Sequence, residues 1–178
     1  MHTRPLSSHS CSCDEHRSRN DVRAQPASDT FAARFGGPLP TGLREETTGM
    51  TWQSFTDAYA SGGTIRLGSW SVERCRQDLV ECRATLAVAD RIISMSAVAA
   101  GPVGAMTSIL HGIGAPVQIV RLHQREVDGL ITTFLLCEND GRQAWAIGEG
   151  TSGDEANVHA LIAGANRLDA GRVSSSAR

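Results

Sequence analysis

RIISMSAVAAGPVGAMTSIL (Arg91–Leu110) and RQAWAIGEGTSGDEANVHALI (Arg142–Ile162) are two statements of one pattern. Each runs from a short apolar strand through a turn of small residues into a helix whose apolar side chains recur three and four apart. Two further strand-like runs precede each copy, and the copies lie about 50 residues apart. The unit is strand–strand–strand–helix, present twice. This predicts an α+β fold of two pseudo-symmetric units with a seam between them. The plainer reading, that any two strand–turn–helix segments look alike, keeps the elements and drops the symmetry.

Working outward, the first unit opens with a strand over Ile65–Glu73. A second strand follows, in which Cys82, Ala84, Leu86 and Val88 alternate. Ile92–Val98 is the third strand. Pro102 suits the first turn of the next helix, where its missing N–H costs nothing. Val103, Met106, Leu110 and Ile113 form that helix's apolar face. The second unit reads Val117–Leu122, Leu130–Cys137 and Gln143–Ile147, with Asn139-Asp140-Gly141 as a hairpin turn. Its helix starts with the capping-box pattern Ser152-Gly153-Asp154-Glu155 and carries Val158, Leu161, Ile162, Ala165 and Leu168 as its stripe.

Upstream of both units, residues 1–48 are rich in Ser, Arg, Asp, Pro and Gly and read as a mostly disordered tail, with Phe31, Phe35 and Leu43 as candidates for local docking. Residues 49–62 form an amphipathic linker helix: Thr51 is the N-cap, and Trp52, Phe55 and Tyr59 share one face. The domain proper spans 63–170, and 171–178 is a frayed end.

Composition removes several functions. The 178 residues carry a net charge of −2 and only 4% aromatics, so neither a basic footprint nor a stacking platform for nucleic acid is present. Every basic residue other than histidine is arginine. Without lysine there is no Schiff-base chemistry and no P-loop lysine for a nucleotide phosphate. No apolar run approaches the roughly 18 residues that span a bilayer, and no signal core opens the chain, so a cytoplasmic protein is expected. Five cysteines without such a signal suggest reduced thiols, with Cys82 and Cys137 as buried small hydrophobes.

Gly148-Glu149-Gly150-Thr151-Ser152-Gly153 matches G-x-G-x-x-G between a strand and a helix. It lacks the parallel strand and the ribose-binding acid that a dinucleotide fold places after the helix. A glycine turn feeding a helix N-terminus still suits a small anion, and Ala99-Ala100-Gly101-Pro102 offers the same geometry in the first unit. Two such ends facing across the seam would hold a small zwitterion; alternatively, both turns simply let the chain pack tightly. His9, Cys11, Cys13 and His16 lack zinc-site spacing. His111, His123 and His159 are scattered, and Glu149, Asp154 and Glu155 read as helix-capping acids. Trp70 and Trp145 read as core anchors. No catalytic residue, metal or cofactor is expected.

Ala99-Ala100-Gly101-Pro102-Val103, Val117-Gln118-Ile119-Val120, Gln143-Ala144-Trp145-Ala146-Ile147-Gly148 and Val158–Leu168 (VHALIAGANRL) occur in an order and spacing that resemble the C-terminal regulatory domain of the 2-isopropylmalate synthase family. The resemblance covers roughly residues 64–168, and Thr51–Ala60 resembles the W-x-x-F helix that can precede this domain. It implies two βββα units that pair with a second copy as a homodimer and bind a feedback amino acid, usually leucine. It also implies a role in branched-chain amino-acid biosynthesis beside a barrel-type synthase partner, with no activity of its own. A catalytic barrel takes about 250 residues, which this chain lacks. Carried over by position, the effector site comprises Ala99, Ala100, Gly101 and Gly104 at the first turn and Gly148, Gly150 and Gly153 at the second. Leu122 and Phe134 would form its apolar wall. Family members usually carry glycine and asparagine or aspartate where Ala99 and Ala100 stand, and a β-branched segment at the second turn. These departures leave a second reading, a structural dimerisation domain whose ligand site has decayed.

Overall fold

Antiparallel hairpins set the architecture. In the computed structural model, which describes residues 31–60 and 62–175, β1 (Ile65–Arg74), β2 (Val80–Val88) and β3 (Arg91–Ala99) form one sheet in the order β1-β2-β3. The helix α3 (Pro102–Gly112) follows. β4 (Gln118–Val127), β5 (Leu130–Asn139) and β6 (Arg142–Gly150) form a second sheet in the order β4-β5-β6, followed by α4 (Gly153–Ser175). The fold is therefore α+β, with the strand–strand–strand–helix unit present twice. Two short helices, α1 (Thr41–Glu46) and α2 (Trp52–Tyr59), precede it.

The doubling extends to irregularities. β1 slips register between Leu67 and Ser69 against β2, and β4 slips between Ile119 and Arg121 against β5. Both first strands therefore bulge near their starts, which keeps Leu67 and Trp70 on one face and likewise Ile119 and Leu122. The β4–β5 and β5–β6 turns each place an Asp-Gly pair at positive φ, the backbone that two-residue hairpins require. The β2–β3 turn instead holds Ala89 at φ 50°. A side chain there costs about 1 kcal/mol that glycine avoids. Ala89→Gly should therefore stabilise the protein by roughly 0.5–1 kcal/mol, seen as a higher urea midpoint with unchanged slope.

One core lies between the sheets and their helices. Cys82, Ala84 and Leu86 project from β2 towards α3, whose buried residues are Ala105, Met106, Ile109 and Leu110. Val103 and Ile113 of the expected stripe are only partly buried, because the helix is rotated to bring Ala105 and Ile109 onto the core. Leu135 and Cys137 of β5 meet Val158, Leu161, Ile162, Ala165 and Leu168 of α4. α4 packs on β5 and β6 and also reaches α3 and β1. At its far end the Asn166 side chain accepts from Ile65 N and donates to Ile65 O, both at 2.8 Å.

The sheets differ on their outer faces. The second presents Phe134, Leu136, Trp145 and Ile147 outward, and the segment from Phe31 to Tyr59 covers them. Phe31, Phe35, Leu39, Leu43, Phe55 and Tyr59 are all buried. The docking candidates Phe31, Phe35 and Leu43 are thus all buried, and the stretch 31–48, placed with the tail, lies on the domain through them and Leu39. Each such burial contributes about 1.5–3 kcal/mol. Arg125 donates to the carbonyl oxygens of Gly37 and Pro38, and Arg167 to that of Ala58. Arg167 also lies over the Tyr59 ring, 4.4 Å from its centroid, while the Tyr59 hydroxyl donates to Glu46. Burial, with Glu46 adding to it, pushes the Tyr59 hydroxyl up to about 12. The first sheet's outer face is mostly polar, with Ser69, Ser71, Arg83, Thr85, Ser94 and Ser96, and leaves Ile92 and Val98 exposed at the ends of β3. At the other end, α4 runs on to Ser175, past the expected limit at 170.

Candidate functional site

The second turn lies later in the chain than its glycines suggest. Gly148 and Gly150 belong to β6 rather than to a loop, and their missing side chains let α4 sit directly on the sheet. A Cβ built on Gly148 would stand 2.2 Å from Ala160 N and 2.3 Å from Ala156 O; one on Gly150 would stand 2.7 Å from Ala156 N. On that side both are packing glycines with helix backbone where a ligand was expected. The equivalent positions of the first unit, by strand pairing, are Ala97 and Ala99. A methyl group is tolerated there under α3, where a Cβ on Gly104 would meet the Ala99 methyl at 3.3 Å.

The start of α4 closes on itself. Ser152 accepts from Glu155 N at 3.2 Å, and the Glu155 carboxylate accepts from Thr151 N and its hydroxyl at 2.7 and 2.8 Å. These bonds, the Thr151 N–H foremost, hold the Glu155 carboxyl below its ordinary pKa. The predicted capping box is present, with its acid reaching one residue further back than the standard pattern. Beside it Gln124 donates to Gly153 O, Asn157 Oδ1 and Thr133 Oγ1, at 2.9, 2.9 and 3.1 Å. Gln124 and Asn157 are not marked out by the sequence, since each stands among other polar residues, Arg121 to Glu126 in β4 and Asp154 to His159 in α4. A carboxylate belonging to the chain thus occupies the position that an incoming anion would take.

The first turn is open. Gly101 is the N-cap of α3 in extended backbone, without a side-chain cap, and nothing lies within 4 Å of a Cβ built on it. Ala99 and Ala100 lead into it from the end of β3. Among the described residues the first N–H groups of α3 therefore have no side-chain cap, and they carry the positive end of the helix dipole.

Leu122 and Phe134, read as one apolar wall, are separated. Leu122 pairs with Leu135 and shares the inner face, where it is 38% exposed; Phe134 points to the outer face and is fully buried beneath the N-terminal cover. Alternation along β5 dictates this, since neighbouring residues face opposite ways. Trp145 is buried under the same cover, and Trp70 is partly buried on the main core.

Nucleophilic chemistry finds little support in the two buried thiols. Burial raises the pKa of Cys82 and pushes that of Cys137 up to about 11, so both stay protonated near neutral pH. Among the described residues no group of three His, Cys, Asp or Glu side chains is placed to hold a metal. His9, Cys11, Cys13 and His16 lie outside the described residues. No helix among those described is long and apolar enough to cross a membrane. Compared with protein-family models and with curated proteins, the chain matches none.

Proposed function

We propose that this chain is a non-catalytic regulatory and dimerisation module similar to the regulatory domain of 2-isopropylmalate synthases, serving branched-chain amino-acid biosynthesis beside a barrel-type synthase. The observation that carries the reading is the doubled βββα unit with its paired bulges. A second feature favours self-pairing. α4 covers the inner face of β1, leaving Ile65 buried and Leu67 half-buried. On the equivalent face of β4, α4 meets Gln124 only, and among the described residues Ile119 and Leu122 are each 38% exposed there, beside Val120 at 42%. A second copy that covers this strip completes for β4 what α4 does for β1.

In this reading the effector is leucine, with its carboxylate at the open N-terminus of α3. Light scattering should report a dimer, and Leu122→Arg a monomer of unchanged fold. Leucine at tenfold Kd should raise stability by about 1.4 kcal/mol. A ligand-blind dimerisation domain is the second reading, and the self-closed start of α4 favours it. A dimer indifferent to leucine, isoleucine and valine at millimolar concentration selects that reading, and a wild-type monomer rejects both.

A further inference from the structure

A cavity beneath the N-terminal cover, which the proposed function does not use, has walls of defined chemistry. It encloses about 190 Å³ between the cover on one side and β6 with α4 on the other. Phe35, Trp52, Phe55 and Ile147 form its apolar walls, and Glu149 and His159 supply side-chain polarity. His159 Nδ1 lies 2.6 Å from Glu149 O. A carbonyl only accepts, so Nδ1 carries the proton, and in the neutral ring Nε2 is left as an acceptor. The Glu149 carboxylate has no hydrogen-bond or ion-pair partner among the described residues. Thr56, also on the wall, commits its hydroxyl hydrogen to the carbonyl oxygens of Trp52 and Gln53, which leaves its oxygen to accept. Apart from the Trp52 indole N–H, the side-chain groups offered to a guest are therefore acceptors and aromatic rings.

Such walls select a cation that donates hydrogen bonds. Trp52 already holds one: the Arg34 guanidinium lies over its ring, 3.7 Å from the centroid. We propose that this cavity binds a small organic ammonium, with its apolar body among Phe35, Trp52 and Phe55 and its N–H groups directed to Glu149 and His159. A carboxylate of the same size meets the negative charge of Glu149, and the lone donor on the walls, the Trp52 indole N–H, carries no charge to offset it. Because the cover supplies half the walls, an occupied site also ties the cover to the domain. The inference does not depend on leucine sensing, which was assigned to the α3 N-terminus.

Titration calorimetry on the full chain tests it with isoamylamine, 4-methylpentanoate and leucine as probes. Isoamylammonium should bind at millimolar concentration or tighter and slow amide exchange in α2, and 4-methylpentanoate should do neither. Glu149 is exposed, so Glu149→Gln should leave the melting temperature unchanged while weakening amine binding roughly tenfold, the loss of one charge-assisted hydrogen bond. Absence of amine binding, equal binding of the carboxylate, or an affinity indifferent to Glu149→Gln would each overturn the proposal. Leucine binding without amine binding would support the effector reading and reject this one. Amine binding that leaves leucine inert would do the reverse.

Discussion

Gly148→Ala should cost about 3 kcal/mol or more, or prevent folding altogether. The added methyl would lie 2.2 and 2.3 Å from Ala160 N and Ala156 O, with His159 C at 2.8 Å. All three are backbone atoms of α4, so no side chain can swing aside. Relief requires the helix to lift from β5 and β6, which opens the contacts of Val158, Leu161 and Ile162. Forcing a methyl into a packed site typically costs about 1–3 kcal/mol, and a rigid backbone neighbour places this case at the upper end. Urea unfolding measures the loss. Gly62→Ala serves as the control, since nothing lies within 4 Å of the Cβ it would add. Equal midpoints for the two variants would reject the close-packing account.

Asn166→Ala should cost roughly 2–4 kcal/mol, because it leaves both the N–H and the C=O of Ile65 without a partner in a buried setting. Asn166 is 4% exposed and Ile65 3%, so the vacated groups gain little water. Asn166→Asp should cost nearly as much. It keeps the acceptor for Ile65 N but loses the donor to Ile65 O and sets a charge beside that oxygen. Hydrogen exchange separates this from a general loss of packing. The Ile65 amide should lose protection first, while the amides of α3 keep theirs until global unfolding. Uniform loss of protection would show Asn166 to be simply another core residue.

These two positions mark where the sequence was legible and where it was not. The strands, both domain helices and the α4 stripe follow from periodicity, as do Met106 and Leu110 of α3, and the Thr51 cap is present, with Ser54 N donating to its hydroxyl at 3.2 Å. Gly148 and Gly150 were misread because a glycine pair before a helix looks the same whether it turns the chain or seats the helix; only the depth of α4 on the sheet distinguishes the cases. For residues 31–48 only the candidates Phe31, Phe35 and Leu43 are legible, and all three are buried; the extent of the docked segment is not, since scattered apolar residues in polar sequence give no period. The complementary signal lay elsewhere. β5 reads Phe134-Leu135-Leu136-Cys137, apolar without alternation, as befits a strand covered on both faces, whereas β2 alternates with Arg83 and Thr85. Of the expected effector site, the first turn remains open and the second is filled.

The reach of α4 across to β1 also governs the order in which this protein can be made. Synthesis delivers the first three strands and α3 well before the final helix leaves the ribosome, since Ile65 and its partner Asn166 are 101 residues apart. Until then β1 is an edge with its first residue unsealed and its inner face wet. Closing so long a loop comes late, because its entropy must be offset by contacts that exist only once α4 is present. The nascent first unit is therefore an open sheet awaiting the C-terminal helix, and a chain cut short before residue 166 should be held by chaperones rather than released folded.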